Sequence, residues 1–401
     1  MNLFDEFKNI CRQYYYEETI NLEEDFNLTK DKIRRYFEIA SKENLSYDFE
    51  GLEELREHHS MSLVYLGILL NEKLNLNIVI SSGNVDYPFN YIWNILSLYH
   101  DLGYVFENDR SYIYKVRNRN YNNHIRGYRN KWNIINSKIC FDCGFNFSYN
   151  RRFINSCNQV FMNYSRKLNN TIVNEEEFNI IKNMRDITVC YYDTQIVIKK
   201  SQFYKSTAEK YYKYRIEEMG KYDHGILGGY MLFNNLVHNY IIKMQEEENK
   251  AYFIKNSRIF RIDQITLFSY ISDCIVNHNI FFPTDNNIHV YEEYGLNELI
   301  LFNKPFKLRD NPLLFLLYLV DSVDPIKYFK KETSLNSEQI LKSINISFID
   351  KGFELNKGVN SSIDDSLFKN YIEKISTLAS WLGVQINMNT DNTKIKIEIV
   401  D

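Results

Sequence analysis

The sequence predicts a mainly α-helical protein that ends in a small α+β unit. Long stretches repeat apolar residues every three to four positions, and beyond residue 331 the period shortens to two. Only 5 Pro and 14 Gly occur in 401 residues, which argues against linkers and low-complexity tracts. The chain exceeds one average domain, so two or three structural units are expected. With 44% hydrophobic and 15% aromatic residues it can bury a sizeable core, and its formal charge of −4 names no partner.

Residues 1–50 read as an N-terminal helical extension with an apolar stripe of Phe4, Phe7, Cys11 and Tyr14. Residues 51–107 hold two stronger helices separated by "NLNIVISSGNVDYPFN", a short β-like or loop segment. The second helix, "WNILSLYHDLGYVFE", aligns Ile92, Leu96, Tyr99 and Leu102 on one face. Residues 108–206 are rich in Asn, Arg and Tyr with weak periodicity and read as an insertion. Helical patterning returns at 207–247, 264–280 and 311–330, so 51–107 and 207–330 together form the helical core. In the tail, 331–401, "ILKSINISFI" with "GFELN" and "VQINMN…KIKIEIV" predict hairpins, and "SSIDDSLFKNYIEKISTLASWLG" a capped helix.

The amino terminus lacks the charged-then-apolar pattern of a signal peptide. The longest apolar run, "PLLFLLYLV", falls short of the roughly 20 residues that span a bilayer. A soluble, cytoplasmic protein with no membrane partner is expected. The six cysteines are scattered, as suits a reducing compartment. Cys140 and Cys143 form a CxxC with no second CxxC, and Cys157 is a candidate third thiolate; ordinary cysteines are the plainer reading.

The ionisable residues carry the chemistry. His59 continues the row Leu63, Leu66, Leu70; His278 continues Leu267, Ile271, Cys274; Asp321 continues Leu314, Leu317; His224 leads Leu227 and Met231. Another helix carries the pair His100–Asp101. A single histidine on a buried face is usually a core residue satisfied by its neighbours. Five helices that each bury ionisable groups point instead to a shared partner, because such groups are costly to bury unless paired or bound to metal. Imidazole and carboxylate are ligands of iron, manganese and zinc.

In chain order these residues spell H, HD, H, H, D, and the sequence resembles the HD-domain metal-dependent phosphohydrolases. The resemblance rests on His59, on His100–Asp101 in "HDLGY", His224 in "DHGILGG", His278 in "IVNHN" and Asp321 in "LVDSVDP". It covers roughly 51–107 and 207–330 and implies an HD-domain helical bundle. The longer histidine pattern resembles members with a dinuclear centre, among them cyclic-dinucleotide phosphodiesterases and dinucleotide polyphosphate hydrolases. What it implies is two divalent transition metals, iron or manganese first, with zinc, nickel or magnesium as the other choices. Asp101 would be the bridging, catalytic carboxylate, with His59, His100 and Asp321 on one metal and His224 and His278 on the other. The implied activity is hydrolysis of a nucleotide-like phosphoester or phosphoanhydride by a metal-activated water. Two alternatives stand beside it: a diiron oxygenase with the same ligand pattern, and a non-catalytic metal-dependent nucleotide-binding regulator. The sequence departs from the pattern where "HDxGK" would place Lys, since Tyr104 stands there, and His278 lacks a tandem histidine.

Around this set, Glu107 is a candidate outer partner of the metals or a solvated helix end, and Asp223 orients His224 or caps its helix. Lys327 and Lys330 read as a solvated face or as phosphate contacts. His58, His124, His238 and His289 read as structural or surface residues, and "GILGG" as small residues for close helix packing. Residues 110–169 hold twelve Arg and Lys against the single acid Asp142, or +11, leaving −15 for the rest of the chain. Tyr112, Tyr114, Tyr121, Tyr128, Trp132 and Tyr149 interleave with them. Aromatic faces beside Arg suit base stacking and phosphate contact. The expectation is a lid or second lobe in which Arg126, Arg129, Arg151 and Arg152 bind substrate; a satellite core with a basic exterior is the alternative. The partners expected are an anionic nucleotide-like substrate, with nucleic acid at the basic segment and a homodimer left open.

Overall fold

The structure, a computed structural model, describes residues 1–15, 20–36, 54–104, 185–203, 206–219, 222–232, 262–280, 288–299, 305–391 and 393–400. The protein is mainly helical, with two four-stranded antiparallel sheets among the described residues. Helix α1, Leu3–Ile10, is capped by Asn2, whose side chain accepts from the Asp5 amide. It buries Leu3, Phe7 and Ile10, while Phe4 and Tyr14 are only partly buried. Helix α2 covers Leu22–Tyr36 and α3 covers Glu54–Lys73. Every residue of α3 from His59 to Leu70 is buried. A helix buried all round belongs at the centre, and α1, α2 and α4 (Phe89–Tyr99) all pack on it. Trp93 of α4 donates its indole N–H to the Leu63 carbonyl at 2.8 Å, which satisfies the polar edge of a fully buried ring.

The stretch between α3 and α4 folds as strands β1 (Val79–Ser82) and β2 (Val85–Tyr87), joined by a two-residue turn. Strands β3 (Ile187–Tyr191) and β4 (Thr194–Ile198) complete this sheet in the order β2-β1-β3-β4. The segment read as an insertion, 108–206, thus ends in strands that join β1 in one sheet. Its period-two burial, Ile187, Val189 and Tyr191 inward, is that of a half-buried strand. The basic and aromatic part, with Arg126, Arg129, Arg151 and Arg152, lies outside the described residues, as do Glu107, His124, His238 and Cys140, Cys143 and Cys157.

Helices α5 (Ser206–Glu217), α6 (His224–Leu232), α7 (Ile262–Asn277) and α8 (Ile288–Glu293) follow. Then come α9 (Pro312–Val323) and α10 (Pro325–Glu332). Helices α9 and α10 both pack on α3, and α7 packs on α4, α6, α9 and the first sheet. Helices α9 and α10 each start with Pro in the first turn behind a side-chain cap, Asn311 and Asp324, where the missing proline N–H costs nothing.

The tail forms α11 (Ser337–Lys342), the hairpin β5 (Ile344–Ile349) and β6 (Gly352–Lys357), helix α12 (Asp365–Ser376), β7 (Val384–Met388) and β8 (Lys394–Ile399). The sheet order is β5-β6-β8-β7, and α12 is capped by Asp364. This unit is joined to the body at β5 and at α12. The Ile346 amide donates to the Met1 carbonyl at 2.9 Å, and the Tyr371 hydroxyl donates to the Val323 carbonyl at the end of α9. No helix among the described residues is long and apolar enough to cross a membrane.

Candidate metal centre

Helix α4 ends at Tyr99, so His100 is its C-cap and Asp101–Gly103 form a turn instead of continuing the helix. The reason is close packing on α6. A Cβ on Gly103 would lie 2.0 Å from the His224 carbonyl, and one on Gly228 would lie 2.7 Å from the Tyr99 carbonyl. Gly103 and Gly228 let α6 lie backbone-to-backbone on this turn, which brings His224 beside Asp101, while Gly225 and Gly229 of "GILGG" face the α7 side. Asp223 caps α6 by accepting from the Ile226 amide at 2.9 Å and is held by Asn279 at 2.6 Å.

His59, His100, Asp101, His224, His278 and Asp321 converge from α3, the α4 turn, α6, the end of α7 and α9. Each is buried, none more than 6% exposed. His59 Nε2 lies 2.9 Å from Asp321 Oδ1 and 3.2 Å from His100 Nε2. Asp101 Oδ1 lies 3.4 Å from His100 Nε2 and 3.5 Å from His224 Nε2, while its Oδ2 lies 3.6 Å from His59 Nε2. The rings of His100 and His224 each meet that of His278 edge-on, with centroids 5.3 and 5.2 Å apart.

The back of each ring is tied down. His100 Nδ1 donates to the Ser97 carbonyl at 2.6 Å and His278 Nδ1 to the Ile275 carbonyl at 2.7 Å. His59 Nδ1 meets Asp324 Oδ2 at 2.7 Å. A carbonyl can only accept, so the proton of His100 and His278 is on Nδ1 and the Nε2 lone pairs turn inward. His278 Nε2 and Asp101 Oδ1 are buried without a hydrogen-bond partner. Orphaned inward lone pairs with outer nitrogens fixed by carbonyls and carboxylate are the arrangement of metal-ligating histidines. Two donors held at about 2.1 Å from one ion and at right angles stand about 3 Å apart, close to the separations of His59, His100 and Asp321 here. Among the described residues, two groups could hold a metal ion: His59, His100 and Asp321, and His100, Asp101 and His278.

The electrostatics agree with a ligand set. Burial pushes His224 down to about 4 and His278 to about 3, so both rings are neutral near pH 7. Burial opposes the charge on Asp101, but His100, His59 and Arg56 outweigh it and keep it ionised. Asp321 is likewise held far below the usual carboxylate range, by Lys327, His100 and His59 against the cost of burial. Burial also opposes protonation of His59, yet its bonds to Asp321 and Asp324 raise its pKa.

Several groups at this centre were not legible as such. Arg56, one turn before His59, contacts Asp101 Oδ2 at 3.0 Å. Asp324, three residues after Asp321, receives His59, the Ser62 hydroxyl and the Lys327 amide. Their i−3 and i+3 spacing from recognised ligands was the available signal. Lys327 is not a merely solvated lysine, since its Nζ lies 2.6 Å from Asp321 Oδ1. Lys330 instead pairs with Glu54 at 2.6 Å and approaches His58 Nδ1 at 3.1 Å. His58 also contacts the Ser337 hydroxyl at 2.6 Å, and His289 is exposed on α8. Tyr104, in the place of the expected lysine, stacks on His224 with centroids 3.8 Å apart, and the Arg56 guanidinium lies 3.6 Å over its ring.

No protein-family model matches this chain, and neither a curated protein nor a solved structure does. The reading of the centre therefore rests on its own geometry.

Proposed function

We propose that the protein is a metal-dependent phosphohydrolase of the HD type, acting on a nucleotide-like phosphoester or phosphoanhydride. The observation that carries this reading is the set of inward Nε2 atoms of His59, His100 and His278 gathered on Asp101 and Asp321, with outer nitrogens bound to Asp324, Ser97 and Ile275. His59, His100 and Asp321 would hold one metal and His224 and His278 the other, with Asp101 shared, as its Oδ2 faces His59 and its Oδ1 faces both His100 and His224. Iron and manganese are the first candidates, because three or four imidazoles beside carboxylates suit them. Divalent metals supply a water acidified toward neutrality and charge to neutralise phosphoryl oxygens.

The protein's own residues do the rest. Ser97, Ile275 and Asp324 keep the imidazoles in the tautomer that ligation needs. Burial keeps His224 and His278 unprotonated. Arg56 and Lys327, the partly exposed cations on Asp101 and Asp321, face an anionic substrate. The basic segment with Arg126, Arg129, Arg151 and Arg152 would add further phosphate or base contacts, and the HD-type bundle is part of the same proposal.

The test is a panel of nucleotides and generic phosphodiesters assayed with manganese- and iron-loaded protein, run alongside oxygen uptake. Phosphate release without oxygen consumption is expected. Oxygen uptake would instead support the diiron oxygenase, and metal binding without turnover a regulatory module.

A further inference from the structure

The two carboxylates at the heart of the centre each already carry a cation. Asp101 Oδ2 is paired with Arg56 at 3.0 Å, and Asp321 Oδ1 with Lys327 at 2.6 Å. Each pair has one end sealed in the core and one end toward solvent. The side chains of Asp101 and Asp321 are 0% and 6% exposed, and those of Arg56 and Lys327 are 17% and 29% exposed. Each of these two carboxylates therefore has a cation on it before any metal arrives. Asp321 Oδ1 is the same atom that faces His59 Nε2 at 2.9 Å and His100 Nε2 at 3.7 Å, so Lys327 holds an oxygen that a metal would claim. A divalent cation added here leaves a buried region with excess positive charge, which is expensive unless an anion compensates it.

We infer that Lys327, with Arg56, forms a phosphate-binding site that exists only when metal is bound, because the metal takes over the carboxylates that otherwise neutralise these two cations. Metal and phosphate binding are then coupled, and each strengthens the other by the same factor. No covalent step is involved; the ammonium of Lys327 exchanges a carboxylate oxygen for a phosphate oxygen. The inference rests on the proposed metal centre and adds the residues and the order by which that centre takes its anionic ligand. Tyr104 fits the scheme. Its ring holds the Arg56 guanidinium at 3.6 Å, so the cation stays at the centre when its carboxylate is claimed.

The experiment titrates inorganic phosphate into full-length protein, once chelated and once loaded with manganese. Calorimetry reads affinity, and the manganese spin-resonance spectrum reads contact with the metal's surroundings. Manganese loading should strengthen phosphate binding by about tenfold or more, within the usual range of coupling between sites. Lys327→Gln should abolish most of that gain with manganese content unchanged, and Lys327→Arg should restore it. Equal phosphate affinity with and without manganese would overturn the inference while leaving the metal centre standing. So would a Lys327→Gln protein that binds phosphate like the parent. Protein that takes up no metal at all would overturn both readings, and the metal analysis separates that failure from the others.

Discussion

Asp101 is the residue on which most of the centre depends. Its carboxylate faces His59, His100 and His224 at 3.4 to 3.6 Å and carries Arg56. Asp101→Ala should therefore remove most bound metal and all metal-dependent activity, read by metal analysis and turnover together. A metal-free yet active variant would refute the assignment. The histidines also make the chelated protein pH-sensitive. His224 and His278 titrate near 4 and 3 in the fold against an ordinary 6.5. As pH falls below about 6.5 the unfolded chain takes up protons first, so these two residues cost the fold a few kcal/mol by about pH 4. His59 has the opposite sign. Its raised pKa stabilises the fold below 6.5, and that contribution is lost as pH rises through the raised value. The melting temperature of chelated protein should thus peak near pH 6.5; a continuous rise toward acid pH would contradict it.

At the scale of elements, the centre is an outcome of how α4, α6 and α7 approach one another. Gly228 sits where any Cβ would strike the Tyr99 carbonyl at 2.7 Å. Gly228→Ala should push α6 away from the His100 turn, costing about 1–3 kcal/mol by overpacking. It should also lower the metal-to-protein ratio, because His224 moves with the helix. Core and site respond differently. Leu317 is fully buried on α9, and Leu317→Ala should destabilise by roughly 2–5 kcal/mol while leaving metal content intact. His278→Ala should do the reverse, losing metal and activity with a small change in melting temperature. If His278→Ala unfolds as readily as Leu317→Ala, that histidine is a packing residue.

For the molecule as a whole, the sequence sets a strongly basic segment at 110–169 apart from the buried candidate centre, whose Asp101 and Asp321 are paired with Arg56 and Lys327. Should that segment reach the substrate, Arg151→Ala with Arg152→Ala will raise the Michaelis constant and weaken its salt dependence, since fewer charges then contact the phosphates. Metal content should not change. Kinetics identical to the parent at both salt concentrations would restrict the segment to a charged surface. Downstream of the basic segment in the chain, β3 pairs with β1 and with β4.

The sequence by itself determined the helical class, the hairpins of the tail and the burial of the ionisable residues that lie on apolar stripes. These follow from local periodicity, and a polar side chain on an apolar stripe is visible wherever the stripe is. His59, His278 and Asp321 were legible for that reason. Tertiary structure alone decided where the pair His100–Asp101 stands, because the end of α4 is set by contact with the backbone of α6 and not by its own pattern. It also decided the partners of the ligands. Asp324 supports His59 across 265 residues and Arg56 reaches Asp101 across 45; local spacing sets each one turn from a candidate ligand but does not name its partner. Lys327 shows the same limit. On its helix it reads as a solvated lysine, and only the packing of α10 on α3 beside the end of α9 turns it toward a buried carboxylate.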